Sequence, residues 1–152
     1  MANARQCPSN NAAASRPIRI WKMTQLERFL VDESIIVKGK VAAKAKSFAI
    51  SLGQDASNLY ICFKPDLANG IIKCHYKKDG KCGPERTCPS CPFHEGQEVQ
   101  ITFFLEGRDN NTIVTVELPD HTQFRFSSPV RRHVNKYVAV DGDFQQYPDR
   151  TQ

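Results

Sequence analysis

The chain has 152 residues, with 21 Lys and Arg against 16 Asp and Glu, which gives a formal charge of +5. With 40% hydrophobic and 24% charged residues, the composition is typical of one folded domain and excludes a disordered or fibrous chain. No apolar run is long enough to cross a bilayer, and the first residues lack the apolar core of a secretory signal.

Residues 1–28 lack strand alternation and are predicted to form a partly ordered N-terminal extension, with residues 29–152 as the domain. The extension holds five cations against one Glu. Such a spread of charge is typical of a solvated leader, so we predict no nucleic-acid partner. Ile18, Ile20 and Trp21 are apolar exceptions within the extension, and Trp21 is expected to pack it onto the domain.

From residue 35 the chain consists of short runs rich in Val, Ile, Phe and Tyr, separated by Gly, Pro, Asn and Asp. Apolar residues alternate with polar ones, which is typical of half-buried strands. The predicted strands lie within residues 35–41, 47–52, 59–64, 99–105, 112–118, 122–126 and 137–140. Seven or more such strands predict an all-β sandwich or jelly roll. Tyr60, Cys62 and Lys64 are expected to project together from one sheet face.

Four segments resemble strands of vertebrate galectins, above all the galectin-1-like prototype group. They are VKGKVAAKAKSFAISLGQDASNLYICFKP (37–65), CPFHEGQEVQITF (91–103), VTVELPDHTQFRF (114–126) and VAVDGDF (138–144). The resemblance covers roughly residues 29–146 and implies a galectin-type jelly-roll β-sandwich of two antiparallel sheets. It also implies a non-enzymatic carbohydrate-binding protein without a cofactor.

Galectins bind β-galactosides through H-F-N-P-R, then an Asn, then W-G-x-E-x-R, because polar forks bond sugar hydroxyls and a Trp face packs on galactose. Here the first element reads CFKPD (62–66), the Asn position is His75, and the third element reads CGPERT (82–87). Of the usual sugar-contacting side chains only Glu85 remains. By resemblance, the candidate carbohydrate-binding residues are Cys62, Lys64, Asp66, His75, Cys82, Glu85 and Arg86.

These replacements leave two interpretations of the site open. In the first, ordinary lactose binding is weak or absent. In the second, Lys64, His75, Glu85 and Arg86 supply donors and acceptors for a different, acidic glycan. We therefore predict a galectin-family lectin with altered specificity whose partner is a glycan or glycoprotein. The alternative is a non-lectin structural or interaction protein on the same scaffold, dependent on thiols or zinc.

Four cysteines fall within residues 74–91, which raises three alternatives. Cys82, Cys88, Cys91 and His94 are weak candidates for a zinc site, although a second C-x2-C pair is absent. A regulatory or intermolecular disulfide is the second alternative, and plain thiols are the third. Cys91 is expected to sit within a strand and to pack as a small hydrophobe.

The resemblance also bears on assembly and cellular location. It implies a homodimer as one assembly state, through terminal strands that the long extension and Pro148 alter. It implies a cytoplasmic protein with an unconventional, leaderless export route and no transmembrane segment.

Overall fold

A computed structural model describes residues 32–147, which form strands joined by turns and loops. The predicted extension, with Trp21, and the end of the chain from Pro148 lie outside the described residues. The strands are β1 (Glu33–Val41), β2 (Phe48–Asp55), β3 (Asn58–Asp66), β4 (Ile71–Lys78), β5 (Lys81–Cys82), β6 (Arg86–Cys88), β7 (Glu98–Arg108), β8 (Asn111–Glu117), β9 (Gln123–Ser128), β10 (Tyr137–Gly142) and β11 (Phe144–Gln146).

The strands form two antiparallel sheets, which confirms the predicted all-β jelly-roll sandwich. One sheet has the order β11-β1-β7-β8-β9. The other has the order β10-β2-β3-β4-β5, and β6 also pairs with β4. All seven predicted strand runs are present. The strands β4, β5, β6 and β11 add to them, and β4 lies at the centre of the site described below.

The core lies between the two sheets and is rich in phenylalanine. Inward positions of β2 and β3 hold Phe48 and Phe63, which are 3% and 0% exposed. The Phe63 ring centroid lies 5.5 Å from that of Phe103 and 6.3 Å from that of Phe124, both in the opposite sheet. Burial of each such ring stabilises the fold by about 1.5–3 kcal/mol. The cluster therefore packs against the inward face of β3, and the opposite face of β3 points outward.

The loop between β9 and β10 is fixed at one end of the sandwich by polar contacts. The Tyr60 hydroxyl accepts a hydrogen bond from His133 N at 2.8 Å. Arg132 Nη2 donates to Glu33 Oε1 at 2.6 Å, and Lys136 Nζ lies 2.5 Å from Glu33 Oε2. Because β10 begins at the next residue, these contacts also position β10 beside β2.

Candidate functional site

An open groove of about 620 Å³ runs along the outward face of β10, β2, β3 and β4. We call it the outer groove. Small side chains pave its floor, namely Ala49 and Ser51 of β2 and Ala139 of β10. Its remaining boundary includes the candidate residues Cys62, Lys64 and His75, together with Leu59, Lys77, Tyr137 and Asp141.

The register of β3 against β4 determines which side chains enter the outer groove. Cys62 pairs with His75 and Leu59 pairs with Lys77, with an irregularity between the two pairs. This bulge inserts one extra residue in β3, so the alternation changes phase there. Tyr60 consequently packs into the core at 2% exposure, while Leu59 lines the groove. The expectation that Tyr60 projects beside Cys62 and Lys64 is therefore wrong.

Cys62 and His75 lie side by side at the centre of the outer groove. The Ser51 hydroxyl donates to Cys62 Sγ at 3.4 Å, and burial raises the pKa of this thiol. His75 is 5% exposed. Desolvation is the main cause that lowers its pKa to about 4, and the charges of Lys64 and Lys77 lower it further. At neutral pH the imidazole is therefore uncharged, with one nitrogen that donates and one that accepts.

Asp66 lies at the end of β3, in an adjoining cleft of about 280 Å³ that we call the corner cleft. Its carboxylate accepts hydrogen bonds from Asn69 N at 3.1 Å and Asn69 Nδ2 at 2.8 Å, and it lies 3.6 Å from Lys73 Nζ. The Asn69 side-chain bond is the largest cause that lowers the pKa of Asp66. Lys64 and Asp141 line both this cleft and the outer groove.

The other three candidates lie on or beside the two short strands next to β4. Cys82 of β5 pairs with Lys77, and Arg86 of β6 pairs with Cys74. Cys82 is disulfide-bonded. Glu85 lies in the turn between the two strands. None of the three lines the outer groove or the corner cleft, although Cys82 lies beside the groove residue Lys77.

Gly83, the glycine retained from the third family element, has a packing role. A Cβ at this position meets the Tyr76 ring at 2.2 Å, and Gly83 N donates to Tyr76 O at 2.9 Å. Only a residue without a side chain allows this close approach. The glycine therefore holds β5 against β4.

Three of the four clustered cysteines, Cys74, Cys88 and Cys91, contribute to the core rather than to a ligand set. Cys74 and Cys88 are 0% exposed, and burial raises the pKa of both thiols. Cys91 lies in the loop after β6 and not in a strand, so that expectation is wrong, although it does pack against the core. Across residues 32–147 no three His, Cys, Asp or Glu side chains converge to hold a metal ion. The zinc candidates, including His94, therefore have no ligand set in the described part of the chain.

Several groove residues were not identified from the sequence, chiefly Leu59, Lys77 and Asp141. The alternation of β2 does indicate a groove in the sequence, since the small residues Ala49 and Ser51 point outward between three large inward-pointing residues. Small outward side chains on neighbouring strands leave room for a ligand. The bulge carries no such signal, so Leu59 and Lys77 could not be assigned.

Comparison with known proteins identifies the class of protein that this sandwich represents. The family model "Galactoside-binding lectin" matches residues 21–147. Mouse Galectin-1 is 36% identical over 118 residues, which cover 74% of this chain and 84% of the mouse protein. The chain therefore belongs to the galectin family of galactoside-binding lectins.

Two solved structures illustrate the shared fold. CG-16, a homodimeric agglutinin from chicken liver, aligns with a TM-score of 0.62 and 29% identity, over 86% of this chain and 96% of that protein. The ancestral congerin Con-anc aligns with a TM-score of 0.68 and 21% identity, over 78% and 90%. No helix able to span a membrane occurs within residues 32–147.

Proposed function

We propose that this protein is a lectin whose outer groove binds a glycan other than the neutral β-galactosides, with weak or absent lactose binding. One observation carries the proposal. The motif positions on β3 and β4 are occupied by Cys62, Lys64, Asp66 and His75, and three of these side chains line the groove. Galectin membership supports glycan binding. A chicken relative with 36% identity is named a beta-galactoside-binding lectin.

The chemistry of the replacements supports the loss of lactose binding. The stacking Trp position is Cys82, which is disulfide-bonded and has no aromatic face. The Arg position is Asp66, which only accepts hydrogen bonds and is engaged by Asn69 and Lys73. Each lost contact costs about 1–3 kcal/mol in a weak site. Their combined loss exceeds what a low-affinity sugar site can tolerate.

Calorimetric titration of the protein with lactose and N-acetyllactosamine, at millimolar sugar, tests this proposal. We expect no saturable heat from the natural chain. Saturable binding of lactose at one site per chain contradicts the proposal. The matched variant restores the family residues at the six changed positions: Cys62→His, Lys64→Asn, Asp66→Arg, His75→Asn, Cys82→Trp and Thr87→Arg. We expect this variant to gain lactose binding. If it gives no saturable heat, the weak lactose binding of the natural chain has another cause.

We further propose that the protein assembles as a homodimer, is cytoplasmic, and leaves the cell by a leaderless route. The solved chicken relative described as a homodimeric agglutinin supports the dimer. Sedimentation velocity of the purified chain tests it, and a single monomeric species across micromolar concentrations contradicts it. Secretion that stops when the classical pathway is blocked contradicts the leaderless route.

A further inference from the structure

Two lysines line the outer groove on β3 and β4, the same strands that carry Cys62 and His75. Lys64 lies on β3, two residues after Cys62, and Lys77 lies on β4, two residues after His75. Both charges act on the His75 imidazole and on the Cys62 thiol. Because β3 and β4 are antiparallel, Lys64 and Lys77 lie on opposite sides of the Cys62–His75 pair along the strand direction.

These two lysines differ from their neighbour Lys73 in their ion pairing. Lys73 lies directly across from Lys64 and is 3.6 Å from the Asp66 carboxylate. Within residues 32–147, no carboxylate lies at ion-pair distance from Lys64 or Lys77. Asp141, the acidic residue in the groove lining, lies on β10 at its other side. Lys64 and Lys77 thus carry positive charges that no ion pair within residues 32–147 neutralises.

The rest of the groove suits the uncharged part of a saccharide. His75 is buried and neutral, so it adds polarity to the groove without adding to the charge. The small floor residues Ala49, Ser51 and Ala139 leave an open volume of about 620 Å³. Small-molecule sites commonly enclose about 300–1,000 Å³. A ligand that combines hydroxyls with one anionic group matches this arrangement.

We propose that the outer groove binds an acidic saccharide, with a sulfate or carboxylate group between Lys64 and Lys77 and the sugar ring over the floor formed by Ala49, Ser51 and Ala139. This inference rests on the proposed function, since it names the ligand class of the same groove. Charge-assisted hydrogen bonds to an anion are stronger than neutral ones. Two lysines on adjacent strands can donate to the same anion from two directions.

Calorimetry with matched saccharides tests the ligand class. The ligands are N-acetyllactosamine and chondroitin disaccharide backbones, each as the neutral, sulfated and carboxylate-bearing form, with sodium sulfate as the anion alone. We expect at least one acidic form to bind about tenfold more tightly than its neutral parent, as two charge-assisted contacts imply. Equal affinity of acidic and neutral forms overturns the proposal. Equal affinity for sodium sulfate reduces the site to a simple anion site and overturns the saccharide assignment.

Charge-removing variants test the residues. We expect Lys64→Gln and Lys77→Gln each to weaken binding of the acidic saccharide by about five- to tenfold. Lys73→Gln removes the same charge from a lysine paired with Asp66, and Lys40→Gln removes an exposed one from the other sheet. Both controls should change the affinity less than about twofold. Equal losses in all four variants mean nonspecific attraction and overturn the assignment.

The two proposals fail in distinguishable ways. Lactose binding by the natural chain overturns the proposed function, whatever the acidic forms do. Silence toward lactose together with no preference for acidic forms overturns this inference and leaves the loss of lactose binding intact. Circular dichroism of each variant checks that the substitutions leave the fold unchanged.

Discussion

Burial of His75 adds a pH-dependent contribution to the stability of the domain, and His75→Asn removes that contribution. The imidazole is 5% exposed and its pKa is lowered to about 4, chiefly by desolvation and then by Lys64 and Lys77. Asn is the residue that the family motif carries at this position, and it does not titrate. The variant therefore keeps a polar side chain in the groove while it eliminates the proton equilibrium.

The sign and size follow from the two pKa values. In the unfolded chain His75 binds a proton below about pH 6.5, whereas the folded protein resists protonation until about pH 4. The unfolded state thus binds more protons in this window, so stability falls as the pH falls through it. Between neutral pH and about pH 4.5, the natural chain should lose about 2–3 kcal/mol more unfolding free energy than His75→Asn.

Urea denaturation of both proteins at several pH values in this window measures the difference. Other titrating groups, such as Asp66, contribute equally to both proteins and cancel. His94→Asn, which removes an exposed imidazole, is the matched control. A difference in unfolding free energy between the natural chain and His75→Asn that does not change with pH would contradict this prediction. It would mean that folding does not lower the pKa of His75.

Three further predictions concern the scaffold. Phe63→Ala should lower the unfolding free energy by about 3–5 kcal/mol in urea titration, since the ring is fully buried; a loss below about 1 kcal/mol contradicts the described core. Gly53→Ala should lower the melting temperature by several degrees, because the added Cβ meets a backbone oxygen at 2.2 Å. Gly107→Ala is the control, since its Cβ has no contact nearer than 3.5 Å. Equal melting temperatures of the two variants contradict this prediction. Tyr60→Phe should speed amide exchange at His133 by removing the acceptor of its N–H; unchanged exchange contradicts the anchor.

Most of the fold could be predicted because large apolar residues alternate regularly along the sequence. The apolar faces of 48–52 and 99–105 contain Phe, Ile, Leu and Val at every second position, and the structure buries them. The two-residue strand β5 and the three-residue strands β6 and β11 are too short to show a period. Their pairing comes from neighbours such as β4 and β1, which local sequence does not encode.

The site could be predicted only in part. The family resemblance locates the motif residues in the sequence, but it does not show which other side chains lie beside them in the fold. It identified Cys62, Lys64 and His75, which the structure brings together in the outer groove. The bulge in β3, which directs Leu59 outward and Tyr60 inward, depends on pairing with β4 and has no local signature. The roles assigned to Glu85 and Arg86 remain predictions.

We propose that this galectin binds another class of glycan in place of the neutral galactosides. The most direct measurement is a glycan microarray that carries neutral galactosides beside their sulfated and carboxylate-bearing forms, with the chicken beta-galactoside-binding lectin as reference. We expect the protein to bind acidic glycans and to leave the neutral galactosides unbound. A binding profile that matches the neutral galactosides bound by the chicken lectin contradicts it.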